Sequence, residues 1–177
     1  IITDKDKFNY FNLFKDKIKL IDKNSIKLYG FDQNYDKINK TKLNFRNGFW
    51  KHCSKRLFYV YEYMKQYKLK NCIHIENDVL LYHNFNNFNF EEKCYLTMDC
   101  NNRCIPGIIY IPYYSILDNL INNYNYNLND MENMAIFYNN NKTICKQFPI
   151  INQNKFYNKI DNYNKNFKEF NGIFDAA

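Results

Sequence analysis

The sequence predicts a single α/β domain, residues 1–177, built as a mixed sheet flanked by helices. Short apolar runs of strand length alternate with longer segments whose apolar residues recur every three or four positions. The longest of these helical stripes leads directly into one of the strand-like runs, the order expected where helices cover a sheet. At 177 residues and 46% hydrophobic content, the chain is long enough to close one sizeable core.

The elements follow in order. Ile1 and Ile2 read as the end of a strand before the Thr3-Asp4 turn signal, and Phe8–Phe14 as a short amphipathic helix. Ile18–Asp22 reads as a strand. Residues 29–42, punctuated by Gly30, Asp32, Asn34 and Asp36, read as a surface loop. Phe49, Trp50, Cys53, Leu57, Val60, Met64 and Tyr67 then mark one face of a helix. It ends in the basic Lys68-Leu69-Lys70, which suits a helix C-terminus. The run Cys72–Ile75 follows as a strand expected to be central in the sheet. Cys94–Asp99 and Ile105–Ile111 read as two more strands, and Ile116–Tyr124 and Met131–Tyr138 as two more helices. Residues 152–171 are rich in Asn, Tyr and Lys but keep spaced aromatics, so they are expected to be ordered.

The net charge of +7 and pI near 9.0 favour an anionic partner. The lysines are interspersed with acids, as in Lys15-Asp16-Lys17, and no nucleic-acid motif accompanies the aromatics. A phosphorylated small molecule is therefore expected rather than nucleic acid. Six cysteines are too few for a disulfide scaffold of this length. Cys100 and Cys104 have no second Cys/His pair at zinc spacing, so the thiols are expected to be reduced and packed in or near the core. That usage favours a reducing, cytoplasm-like compartment. No apolar stretch approaches the roughly 20 residues of a membrane span.

The chemistry is expected at Glu76-Asn77-Asp78, where the chain breaks between two apolar runs. Ligands of open α/β sheets bind beyond the carboxyl ends of strands. Residues two apart on an extended backbone point the same way, so Glu76 and Asp78 can face one point while Asn77 turns aside. Two hard oxygen ligands suit Mg²⁺ or Mn²⁺, with substrate phosphates completing the shell. A solvated turn is the competing reading, since Asn-Asp is good turn chemistry. Arg56 sits at the edge of the helical stripe, where its guanidinium could reach a diphosphate beside the ion. Alternatively its stem lies along the apolar face with the charge in water. Farther on, Asn129 and Glu132 have the spacing of a capping box, and Asp130 or Glu132 could also face the cleft and accept a proton there.

In this order the segments resemble a GT-A-type glycosyltransferase, the nucleotide-diphospho-sugar transferase family. "KRLFYVYEYMKQYKLKN" looks like its arginine-bearing helix, and "CIHIENDVLLY" like the strand ending in a DxD-like metal motif. "IPGIIYI" looks like the glycine-containing strand behind the sugar, "NDMENMAIF" like the acidic helix start near the acceptor, and "FNGIFDAA" like a terminal segment. The resemblance spans most of the chain and rests on order and spacing. It departs from the pattern in having Glu76 where the family has aspartate. The chain is also expected to be a fragment without the family's first nucleotide-binding strand.

The resemblance implies a GT-A, Rossmann-like fold and transfer of a sugar from a UDP- or GDP-sugar to a glycan or protein hydroxyl. Mn²⁺ or Mg²⁺ would be held by Asp78, with Glu76 directly or through water. Arg56 and Asn77 would serve the donor, and Asp130 or Glu132 the acceptor. Asp4 would touch the base or ribose, and Asp175 would lie near the cleft. Two other readings compete. A metal-dependent phosphodiesterase or nuclease would want further acids and a histidine, and only His52, His74 and His83 exist. A non-catalytic carbohydrate- or nucleotide-binding module would draw on the 17 tyrosines.

Overall fold

The computed structural model describes residues 1–14, 16–38, 46, 48–76, 79, 85–150, 166–170 and 173–174. The chain is α/β, and its main sheet has four strands of mixed direction with helices packed on it. These strands are β3 (Lys70–Ile75), β4 (Cys94–Cys100), β5 (Arg103–Tyr113) and β6 (Cys145–Gln147), in the order β3-β5-β4-β6. β5 runs antiparallel to both neighbours, and β4 pairs parallel with β6. Upstream, β1 (Ile2–Thr3) and β2 (Ile21–Asp22) form a separate parallel pair.

Two expectations are corrected here. β3 is not central: among the described residues it lies at one edge of the four-stranded sheet. Its apolar run looked like a buried interior strand because both its faces are covered. Ile73 and Ile75 pack into one core cluster and Cys72 into the other. The second correction concerns residues 29–42, where Phe31–Ile38 forms a helix, α1, rather than a loop. Phe31 and Tyr35 are one helical turn apart and fully sunk into the core. The supposed breakers Asp32 and Asp36 lie on the outer face, where they pair with Lys51 and Lys55. Residues 39–42 lie outside the described residues.

The remaining elements match the expected ones, with shifted ends. The first helix candidate is a 3₁₀ segment, Lys5–Phe14, with Tyr10 and Leu13 in solvent. The long helix is α2, Phe49–Tyr67; of the stripe read from the sequence it buries Leu57 and Met64, while Phe49 and Tyr67 at its ends are exposed and Ser54, Phe58 and Tyr61 complete the buried face. A 3₁₀ turn leads into the short α3 (Asp118–Asn122), and α4 spans Asp130–Asn140. Of the stretch 152–171, only Asn166 and α5 (Phe167–Phe170) are described. The six cysteines are free, with Cys94, Cys104 and Cys145 in the core.

The alternation of side chains along each strand separates two cores. On one face α2 and α4 cover Cys94, Leu96, Met98, Ile109 and Ile111. The other face is aromatic: Tyr95, Tyr110 and Phe148 lie beneath Phe88, Phe90, Phe170 and Phe174. The Phe90 and Tyr110 rings stack at 4.0 Å. Lys146 on β6 ties this cover down by bonding Glu91 at 2.5 Å and Glu169 at 2.8 Å.

α2 stops because Lys68 turns into the left-handed region, φ 51°, while its N–H reaches back to the last turn. A lysine there bears a Cβ strain that glycine escapes. Lys68→Gly is expected to raise stability by about 0.5 kcal/mol, the strain relief exceeding the entropy gained by the unfolded chain. A urea melt reads this as a higher midpoint at constant slope.

Candidate functional site

The last residue before the sequence motif is held in the sheet. The Glu76 N–H donates to the Gly107 carbonyl of β5 at 2.9 Å, which extends the β3 ladder by one residue. Alternation therefore places His74 and Glu76 on the α2 side and Ile73 and Ile75 on the aromatic side. Val79 donates its N–H to the Glu76 carbonyl at 3.2 Å. Asn77 and Asp78 lie outside the described residues. The side chains of Asp175 and His83 do too.

Arg56 lies beside Leu57 at the border of the buried stripe of α2 and extends toward the end of β3. Its two terminal nitrogens divide between two carboxylates. Nη1 pairs with Glu76 Oε1, and Nη2 donates to Asp130 Oδ2 at 2.6 Å. Three residues singled out from the sequence thus meet, from α2, the end of β3 and the first turn of α4. The stem does not simply lie along the core with its charge in water: the head group is fixed by a fork of charge-assisted bonds.

The partners differ in environment. The side chains of Arg56 and Glu76 are each 24% exposed, whereas Asp130 is 1% exposed. A carboxylate that deep requires a counter-charge and hydrogen-bond donors. Arg56 supplies both, and the N-terminus of α4 adds the positive end of its dipole. The other ionisable groups packed around Asp130 are pushed toward their neutral forms. Burial, then the Asp130 charge, raises the Cys53 thiol, and burial raises the Tyr124 phenol.

The loop before Asp130 is fixed independently. Asn129 and Glu132 form the capping box read from their spacing, with bonds of 2.9 and 3.0 Å. The buried Asn133 amide bonds Asn125 N–H, Asn125 C=O and Asn129 C=O at 2.8–3.0 Å. These contacts set the position from which Asp130 meets Arg56. Asn133 was not recognised from the sequence, because one asparagine among so many carries no signal. Asp4, at the end of β1, is held at 2.7 Å by Lys23 and is not part of this cluster.

His74 completes the wall beside Arg56. Burial, with help from the Arg56 charge, lowers its pKa to about 4, so the ring is neutral at pH 7. Its Nε2 is buried without a hydrogen-bond partner among the described residues, as is Arg56 Nε.

The donor set has clear limits as a metal site. Among the described residues no group of three or more His, Cys, Asp or Glu could hold an ion. A closed protein cage is therefore not formed by them. Of the sequence motif only Glu76 is described, and its carboxylate is already paired with Arg56. Among the described residues no helix is long and apolar enough to cross a membrane.

Two stability measurements probe this site. Arg56→Met strands a buried carboxylate and is expected to cost about 3 kcal/mol, whereas Arg56→Met/Asp130→Asn recovers most of that loss; urea denaturation of both variants checks it. The second concerns pH. His74 binds its proton less readily folded than unfolded, so its contribution is intact above about pH 6.5 and is lost as pH falls toward 4. Its full share is about 3 kcal/mol, and His74→Gln is expected to flatten the stability profile over that interval by a similar amount.

Comparison of the chain with family models, with curated proteins and with solved structures gives no match, and the assignment of this site rests on its own chemistry.

Proposed function

We propose that the chain is a metal-dependent glycosyltransferase of GT-A type, moving a sugar from a nucleoside-diphosphate donor to an acceptor hydroxyl. The observation that supports this most is the meeting of Arg56, Glu76 and Asp130 at the end of β3. It directs a fixed positive charge to the place where the sequence puts a DxD-like acid pair.

In this reading Arg56 faces the leaving diphosphate, and the fork of Glu76 and Asp130 keeps the guanidinium from wandering when the donor is absent. Asp78, with Glu76 directly or through water, holds Mn²⁺ or Mg²⁺, and Asn77 contacts the donor. When bound, the ion supplies Lewis-acid neutralisation of the departing diphosphate. Asp130 is enclosed and committed to Arg56, so its part is to position that residue. Glu132 is half-buried, with one carboxylate oxygen accepting the Asn129 N–H of the capping box, and its other oxygen is assigned to the acceptor hydroxyl.

A metal-independent nucleotide- or carbohydrate-binding module is the second reading. It is favoured by the same guanidinium, which can hold a phosphate unaided, and by the lack of a multi-ligand metal cluster among the described residues. A phosphodiesterase is less well supported, since His74 is buried and neutral rather than open to a substrate.

Calorimetric titration with UDP- and GDP-sugars, with and without Mn²⁺, separates these readings. The transferase predicts donor binding that requires Mn²⁺ and weakens at least about tenfold in Asp78→Ala, the loss of a charged ligand being worth more than 1.4 kcal/mol. Equal binding without metal would favour the module. Cleavage of nucleic acid with no affinity for nucleotide sugars would overturn the transferase.

A further inference from the structure

Two of the buried thiols stand opposite one another on neighbouring strands. Cys94 opens β4 and Cys145 opens β6, and the parallel register pairs them directly. Backbone bonds fix that register: the Cys94 N–H donates to the Ile144 carbonyl at 2.9 Å, and the Phe148 N–H to the Leu96 carbonyl at 2.8 Å. One step along, Lys146 is opposite Tyr95 and holds its ammonium 5.6 Å from the centre of that ring, on the aromatic face. Alternation turns Cys94 and Cys145 the other way together, into the core beneath α2 and α4.

Neighbouring strands lie about 4.8 Å apart, and a disulfide accepts Cα separations of about 4.4–6.8 Å. Directly opposed cysteines on one face therefore meet the distance requirement without backbone movement. The thiols already meet: a hydrogen bond with the Cys145 thiol, then burial, pushes the Cys94 thiol well above its ordinary value. Cys104, the third thiol of this core, is placed differently. It lies opposite Met98, four residues farther along β4 and on the order of 10 Å away, too far for a disulfide to Cys94.

We propose that Cys94 and Cys145 form a modification site, a cross-strand dithiol that a small-molecule disulfide converts to an intramolecular disulfide joining β4 to β6. The route is thiol–disulfide exchange. Among the described residues β6 is an edge strand of three residues, so its parting from β4 is a local event that uncovers both thiols. The Cys145 thiolate attacks one sulfur of oxidised glutathione, forming a mixed disulfide and releasing one glutathione thiolate. The Cys94 thiolate then attacks the Cys145 sulfur of that mixed disulfide and releases the second. The protons lost by the two cysteines pass to the released glutathione, so two protein thiols are oxidised and one small disulfide is reduced to two thiols. While β6 is in place, burial shields both sulfurs.

The bridge closes the chain from β4 to β6 around β5, α3 and α4, and stabilises chiefly by restricting the unfolded chain. It involves none of Arg56, Glu76 and Asp130, so it stands apart from the proposed transferase site.

The experiment incubates the whole chain with oxidised glutathione, blocks the remaining thiols with N-ethylmaleimide in urea, and maps the peptides without reduction. A Cys94–Cys145 bridge is expected, with Cys104 alkylated. The urea midpoint of the bridged chain is expected to exceed that of the reduced chain by on the order of 1 M, and dithiothreitol to reverse the shift. Cys104→Ser is expected to keep both the bridge and the shift, and Cys145→Ser to lose both. The peptide map of the unmodified chain decides the matter even where a variant does not fold. A bridge to any other cysteine in place of this pair, glutathione adducts that do not resolve, thiols still free at equilibrium, or a bridge that lowers the midpoint overturns the inference.

Discussion

A buried carboxylate that must keep its partner is the constraint on which the site depends. Asp130 lies at the first turn of α4, sealed from water, and the cation paired with it comes from α2, 74 residues earlier in the chain. Satisfying that charge fixes the rotation of α2 about its axis and the approach of α4 to it. It also brings the guanidinium to the end of β3, where the second fork meets Glu76. A hydrophobic pair at these positions could hold the helices equally well. It could not carry a positive charge to the end of a strand.

The sheet separates that demand from the bulk of the stabilising contacts. Its α2 face combines a mixed aliphatic and aromatic core with the charged cluster at one end. Its other face is closed by aromatic rings and has no share in the ion pairs around Arg56. β3 belongs to both, with Ile73 and Ile75 turned one way and His74 and Glu76 the other. The strand that carries the site is thus clamped from behind by ring contacts. The polar groups in front, where His74 Nε2 and Arg56 Nε have no hydrogen-bond partner among the described residues, are held without having to support the core.

Much of this is legible in the sequence, and the failures have physical causes. The helix Phe49–Tyr67 is readable because a long apolar stripe has one periodic explanation. The capping box at Asn129 and Glu132 is readable because capping is local. α1 was obscured because only Phe31 and Tyr35 face the core, and three turn-forming residues lie between or beside them. The edge position of β3 was hidden because strand order depends on partners far along the chain, while its burial on both faces imitates an interior strand. Arg56 and Asp130 were each singled out, yet nothing in either neighbourhood announces the other. Their pairing belongs to the fold. Asn77 and Asp78, the middle and end of the motif, lie outside the described residues, so the geometry speaks for Glu76 alone.

The aromatic face has a consequence for how the protein is made. Tyr95, Tyr110 and Phe148 are in place once β6 has joined the sheet, but Phe170 and Phe174, which cover them, are supplied by a later part of the chain. During synthesis these residues leave the ribosome last of the described ones. Until then Phe88 and Phe90 cover only part of these rings, and the rest stays open beside the short strand β6, the kind of surface that chaperones bind and that drives aggregation. Lys146, waiting on β6 for Glu169, gives the arriving segment a charged target within that apolar field.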